Sequence, residues 1–255
     1  MHRFYIPPEK WNLDQLALDE DETHHALDVL RLKTGERVVV FNGRGVEATA
    51  EISSIEKKSV ALRRLHHAKS PQLACEITLG QAIPKGKNMD LIVQKATELG
   101  VAGIAPLLSE RTVTQFDDDE DAAKKQSKWQ SVAIEAAKQC GQNWLPEVQR
   151  PQTPRDFFSA FATNQRFDLM LIASLQTDAL HLKKVLADFA EEKKQRPQKV
   201  LVLVGPEGDF TPAEIALAKS HGCRPITLGP IVLRTETAAL YCLSVLSYEL
   251  LAPQG

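Results

Sequence analysis

From residue 75 onward the chain alternates short, almost unbroken apolar runs with segments of helical periodicity. The runs are "CEITLGQAI", "AGIAPLLS", "FDLMLIAS", "KVLVLVG" and "PITLG"; the segments between them are expected helices over 88–99, 122–140, 179–194 and 212–221, and a last helix begins near Thr235. A strand that is apolar at every position must be covered on both faces, and parallel strands joined by crossover helices meet that need. This part of the chain is therefore expected to form an α/β domain on a parallel sheet. Gly100 is placed to end the first helix.

Residues 3–69 read differently. "RFYI", "ERVVVFN", the alternating "VEATAEISSI" and "SVALRRL", the last two separated by Lys57 and Lys58 as a turn, are short strands, interrupted by one helix expected over 22–32. Short strands with a single helix suggest a small β-barrel. "AKSPQ", residues 68–72, breaks the pattern and marks the expected domain boundary.

The chain has 255 residues, 43% hydrophobic and 25% charged, the composition of a globular protein. It carries no 18-residue apolar run, and its start lacks a secretion signal, so a cytoplasmic location and no membrane association are expected. Cys75, Cys140, Cys223 and Cys242 are too scattered for a zinc pattern, so free buried thiols and no metal are expected. A net charge of -2 argues against nucleic acid, yet between Arg31 and Lys69 nine Lys and Arg face only four Asp and Glu. That stretch is either a solvated strand face or a phosphate-binding one.

Ligands of open parallel sheets bind beyond the carboxyl ends of the strands. Three loops fall there: "ASLQT" from Ala173, "GPEGDF" from Gly205 to Phe210, and "LGPIVLRTET" from Leu228. Gly205 and Gly208 are expected to allow close backbone approach or dihedrals closed to other residues; an ordinary tight connection is the alternative. "TPAE" from Thr211 to Glu214 carries the pattern of a capping box. Neither phosphate-binding glycine motif is present, which removes the usual nucleotide readings. If "PIVL" lines a pocket, main-chain amides there would bond an adenine edge between Leu228, Ile231 and Leu233, with Arg234 and Glu236 at its mouth and Thr235 capping the last helix. The alternative is an Arg–Glu pair of purely structural use.

"GPEGDFTPAEI" followed by "LGPIVLRTETA" resembles the paired C-terminal motifs of the ribosomal RNA small subunit methyltransferase E family, of the SPOUT superfamily. "HRFYIP", "HHALDVLRLKTGERVVVFNGRG", "IPKGKNMDLIVQKATELGV", "SERT" and "WQSVAIEAAKQCGQ" agree with it, so the similarity spans nearly the whole chain. The resemblance implies a PUA-like RNA-binding β-barrel over 1–70, a SPOUT-type catalytic domain over 73–255 with a C-terminal deep trefoil knot, and a homodimer. It implies S-adenosyl-L-methionine as cofactor, held by Leu175, Gly205, Pro206, Glu207, Gly208, Leu228, Gly229, Ile231, Leu233 and Thr235, and methylation of N3 of a uridine in 16S rRNA of the small ribosomal subunit. The last helix, with Leu240, Leu243, Val245, Leu246 and Leu250, suits burial against sheet and partner. Asp209 departs from the family pattern, where glycine is frequent, and Gln142 stands where arginine is expected.

On this reading Arg234 stabilises charge on the target uracil and Glu236 serves as base or orients Arg234. Arg3, Arg31, Lys33, Arg44, Lys95 and Arg111 would contact RNA. Lys95 with Glu98, and Glu135 with Gln139, share helix faces that either line the substrate cleft or form surface pairs. A knotted tRNA methyltransferase, or a non-catalytic RNA-binding assembly factor, would share many of these features.

Overall fold

The computed structural model describes residues 1–56, 59–113, 116, 118–164 and 167–251, so Lys57 and Lys58 of the expected turn lie outside it, as does Asp117. The chain divides into two compact units, Met1–Gln72 with Ile134–Leu145, and Leu73–Ala133 with Pro146–Gly255.

The first unit holds a five-stranded sheet of order β1-β3-β4-β5-β2. Its strands are β1 (Arg3–Tyr5), β2 (Leu16–Leu18), β3 (Arg37–Phe41), β4 (Val46–Glu56) and β5 (Ser59–Lys69). β1 runs parallel to β3 and every other pairing is antiparallel. Register shifts between β4 and β5 at Thr49/Ala50 and Ile52/Ser54 are the kind of irregularity that bends a sheet. One face is fully buried: Val38, Val40, Ala48, Ala50, Ile52 and Val60 pack with Phe4, Leu18 and Ala26.

The expected helix over 22–32 starts earlier and changes character. α1 (Glu20–His24) begins two residues upstream because the Asp19 carboxylate accepts from the Glu22 amide at 3.1 Å. It runs into a π-helical turn over His25–Val29, where Leu30 N donates to His25 O at 3.0 Å. Arg31, at φ 56, ends it in the left-handed region.

A buried ion pair ties this unit together. Lys138 Nζ lies 2.9 Å from both Glu22 oxygens and 2.8 Å from Glu135 Oε1, with 9% and 11% of the Lys138 and Glu22 side chains exposed. Glu135 thus pairs with Lys138. Burial pushes the Glu22 carboxyl up despite its partners. Burial pulls Lys138 down, but the hydrogen bonds of Glu135 and Glu22 outweigh it and leave the ammonium above its usual value.

The second unit holds seven strands, all parallel: β6 (Glu76–Ala82), β7 (Gly103–Leu107), β8 (Glu147–Val148), β9 (Leu169–Ala173), β10 (Leu180–His181), β11 (Lys199–Val204) and β12 (Arg224–Thr227), in the order β10-β12-β9-β11-β6-β7-β8. In β11 Val200 through Val204 are all buried, so both faces of the sheet are covered. The helices are α2 (Asn88–Glu98), α3 (Asp119–Cys140), α4 (Pro154–Asn164), α5 (Leu182–Lys193), α6 (Pro212–Ser220) and α7 (Thr235–Leu250). Phe157 and Phe158 of α4 and Ile215 and Ala218 of α6 pack on Leu201 and Leu203. α7 packs on β6, β11 and α2.

Four of these elements escape the sequence reading. β2, β8 and β10 are edge strands of two or three residues, too short to carry a periodic signal, and α4 lies in a stretch given no element. The helix expected from 179 begins only at Leu182, because Leu180 and His181 pair with β12 and the His181 ring accepts from Lys183 N at 3.3 Å. Of the cysteines, Cys75, Cys223 and Cys242 are buried, and burial pushes each thiol up to about 12. Cys140 is exposed, against the expectation that all four are covered.

Candidate functional site

The loops after β9, β11 and β12 come together at the carboxyl edge of the sheet and enclose one cavity with the first turn of α7. It is lined by Ala173, Ser174 and Leu175, by Val204, Gly205, Pro206, Glu207 and Asp209, by Thr227, Leu228, Gly229, Ile231, Val232 and Leu233, and by Thr235 and Ala238. All ten residues assigned to the cofactor except Gly208 lie on this wall. Leu175, Ile231 and Val232 are 67%, 74% and 72% exposed here. Large apolar side chains gathered at this exposure around a cavity mark a surface that a ligand covers.

The special dihedrals expected as one possibility are not found at these glycines. Neither Gly205 nor Gly208 takes a positive φ; the left-handed residue of this loop is Asp209, at φ 60. Gly205 is required for closeness instead, since a Cβ there would lie 3.0 Å from Phe210 N and 3.1 Å from Asp209 Oδ1. The Asp209 amide donates to Pro206 O at 2.9 Å, closing a turn. Its carboxylate accepts from Phe210 N at 2.8 Å and from Leu175 N at 3.4 Å, so one side chain joins two of the three loops. Asn, Asp and Gly are the residues that tolerate this backbone region best.

Behind the loop the capping box is present. Thr211 Oγ1 accepts from Glu214 N at 3.3 Å, and Glu214 Oε2 accepts from Thr211 N at 2.8 Å. Glu214 Oε1 also accepts from Glu110 N at 2.9 Å, which pins the "SERT" segment to α6. Next to it Arg111 Nη1 donates to Gly208 O. Glu207, on the cavity wall, accepts from Lys85 N at 2.9 Å. The loop is thus held from both sides.

Thr235 does not cap the last helix. Arg234 is the N-cap, with extended backbone and no side-chain cap bond, and its carbonyl accepts from Ala238 N at 2.8 Å. Thr235 is the first helical residue, 4% exposed and on the cavity wall. The threonine that would have capped is turned inward, leaving the helix's first amides without a side-chain acceptor and its positive end toward the cavity. Arg234 itself is exposed and forms no ion pair among the described residues. Glu236 is half-buried and accepts from Asn88 Nδ2 at 3.4 Å, so the Arg–Glu pair of the structural reading is not made. Asn88 went unassigned in the sequence, where a polar residue at a helix start reads as an ordinary terminus.

The residues expected to contact RNA separate into two groups. Arg31, Lys33 and Arg44 are exposed and unpaired among the described residues, as is Arg37. Arg3 is committed internally: it donates to Glu47 at 2.8 Å and Asn143 at 2.7 Å and lies 4.7 Å over the Phe41 ring. Gln142, where arginine was expected, offers Arg3 its carbonyl at 3.4 Å. Lys95 is held by Glu98 at 2.8 Å in a surface pair. No group of three His, Cys, Asp or Glu among the described residues is placed to hold a metal, and no helix there is long and apolar enough to cross a membrane.

Comparison with known proteins places this geometry. Residues 71–247 match the model of the RNA methyltransferase domain family, and residues 18–63 that of the RNA methyltransferase PUA domain. The chain is 30% identical to the ribosomal RNA small subunit methyltransferase E of Bacillus subtilis, over 98% of its own length and 97% of that protein's. The structure of the protein of that name from Neisseria gonorrhoeae, bound to S-adenosyl methionine, superposes with a TM-score of 0.83 at 31% identity and 98% coverage of both chains. A Legionella pneumophila structure in complex with the cofactor SAM superposes at 0.85, with 36% identity and 97% coverage of both.

Proposed function

The chain belongs to the ribosomal RNA small subunit methyltransferase E family, and on that basis we propose that it transfers the methyl group of S-adenosylmethionine to N3 of a uridine in 16S rRNA of the small ribosomal subunit. Its architecture, a PUA-like sheet domain before a parallel α/β domain, is that of the SPOUT methyltransferases. The observation that carries the proposal is the cavity: apolar residues exposed at its rim and main-chain groups of three loops on its wall, with the exposed Arg234, without an ion pair among the described residues, between the wall residues Leu233 and Thr235. These residues fit an adenosine flanked by a charged amino-acid end. Leu175, Ile231 and Val232 would cover the apolar faces, loop amides would bond the base edge, and the uncapped start of α7 suits a carboxylate.

When bound, the cofactor supplies an electrophilic methyl on a cationic sulfur. The protein's work is to hold the uracil in line with it, exclude water and manage one proton. N3 of uracil must lose its proton to attack. Glu236, oriented by Asn88, is the acceptor in this proposal, and the exposed Arg234 guanidinium stabilises the charge that spreads to the flanking carbonyl oxygens. Residues 1–70 serve as the RNA-binding domain and 73–255 as the catalytic one, with the C-terminal segment threaded as a deep trefoil knot, a path consistent with three loops and α7 sharing one wall. The reaction belongs in the cytoplasm, where the small subunit is assembled.

The test is methyl transfer to isolated small subunits, with modified nucleosides identified by mass spectrometry. The expected product is N3-methyluridine in 16S rRNA. Arg234→Ala should lose at least 100-fold in turnover while binding the cofactor normally, in line with removing one charge-stabilising donor, about 10²–10³. Methylation of another RNA, or wild-type turnover in that variant, would reject the substrate or the role respectively.

We also propose that the protein acts as a homodimer through α7. Thr237, Tyr241, Ser244 and Tyr248 form an exposed stripe at helical spacing, with Tyr248 79% exposed, opposite the buried Ala239, Cys242, Leu243 and Leu246. Tyr241→Asp with Tyr248→Asp should shift the mass read by light scattering from dimer to monomer. An unchanged dimer would place the interface elsewhere.

A further inference from the structure

Among the described residues on the cavity wall, Glu207 and Asp209 are the only charged side chains, and both are carboxylates. Asp209 sits at φ 60, where glycine is free of strain, and the resemblance to the family makes glycine the ordinary occupant. Aspartate is one of the few other residues that tolerate this region, and its side chain makes bonds that glycine cannot. Here the carboxylate accepts from Phe210 N and Leu175 N, joining the loops that follow β11 and β9. Both bonds come from neutral amides, and no ion pair to Asp209 is formed among the described residues. Gly205 leaves the space it needs, with Asp209 Oδ1 only 3.1 Å from where a Cβ would stand.

We propose that Asp209 is a positioning and specificity residue that selects the cationic cofactor over its uncharged-sulfur product. The inference rests on the cofactor assignment above. Before transfer the ligand carries a sulfonium; after transfer the same atom is a neutral thioether, one methyl and one positive charge fewer in an otherwise equal molecule. A carboxylate on a partly enclosed wall attracts the first more than the second, because charge interactions are stronger there than in water. The amide bonds are a separate effect: they set the distance between the loops and act on both ligands alike. Asp209 thereby favours exchange of product for fresh cofactor.

Calorimetry with S-adenosylmethionine and S-adenosylhomocysteine separates the two effects. Asp209→Asn keeps an acceptor and the size of the side chain and removes the charge. It should weaken the sulfonium ligand about tenfold and the thioether less than threefold, so that their affinity ratio falls. Asp209→Gly relieves the backbone, removes both charge and tether, and should lower the ratio by a similar factor. Thermal unfolding with and without ligand checks that each variant is folded. An unchanged ratio in both variants, with the wild type binding both ligands, would overturn the proposal, because a merely structural tether weakens the two together. Failure of the wild type to bind either would instead overturn the cofactor assignment itself.

Discussion

Glu22 and Lys138 show how a single pair can be costly to disturb even where it adds little net stability. Both side chains are almost fully covered, and the ionised pair is balanced only while each has the other. Lys138→Met leaves the Glu22 carboxylate buried with, among the described residues, only the Tyr5 amide, 3.1 Å away, as a remaining donor. Chemical unfolding at pH 7 should show a loss of about 3 kcal/mol, and Glu22→Gln in the same chain should restore much of it. The pH dependence follows from the directions of the shifts. Lys138 titrates above its unfolded value, so its contribution is complete below the ordinary lysine range and disappears as pH rises through the folded value. Glu22 is raised by burial, and without Lys138 it has lost its main lowering partner. A raised carboxyl favours the folded state at low pH and loses that contribution as pH rises through its folded value, so the gap between wild type and Lys138→Met should narrow towards pH 4. A gap independent of pH would mean that Glu22 reaches solvent or another cation in the variant.

At the scale of elements, the start of α6 carries more than a cap. Thr211→Ala removes one side-chain bond of the box and should cost about 1 kcal/mol in urea unfolding. Glu214→Ala removes the acceptor of Thr211 N and of Glu110 N together, and should cost about 2 kcal/mol, since two donors in a mostly buried place lose their partner. Equal costs would show that the Glu110 bond adds nothing. The capping box was readable because its residue types sit at a fixed spacing. The continuous apolar runs likewise announced the parallel strands. Strand order, in contrast, is written in contacts between distant segments: nothing local in "PITLG" says that it lies between β9 and β10. The site was legible to the extent that it is made of loops after strands, which a parallel sheet places together whatever their order. What stayed hidden depended on side-chain direction. Thr235 is the better cap on paper, and only packing decides that the threonine turns inward. Arg3 is expected at RNA only through the family resemblance; its bonds to Glu47 and Asn143 join residues more than forty positions apart, which no local pattern shows.

For the molecule as a whole, the formal charge of -2 hides a distribution that matters for its proposed partner. Arg63 is neutralised by Glu51 and Arg64 faces Asp14, so part of the basic excess between residues 31 and 69 is taken up by internal pairing. Arg31, Lys33, Arg37 and Arg44 are exposed without such partners among the described residues, and they are among the cations free to displace counterions from an RNA backbone. If all four meet phosphates of single-stranded RNA, the logarithm of the binding constant should fall against the logarithm of salt concentration with a slope of about -3, so affinity drops roughly 50-fold between 50 and 200 mM. Replacing Arg31 and Lys33 together by alanine should flatten the slope by about 1.4, that is about 0.7 for each phosphate left without its cation, whereas Arg63→Ala should leave it almost unchanged because that charge is already paired. Filter binding over a salt series with a fragment of 16S rRNA measures all three. A slope that is the same in the double variant as in the wild type would mean that phosphates meet other residues, and that these four cations serve only to keep the surface of the first unit hydrated.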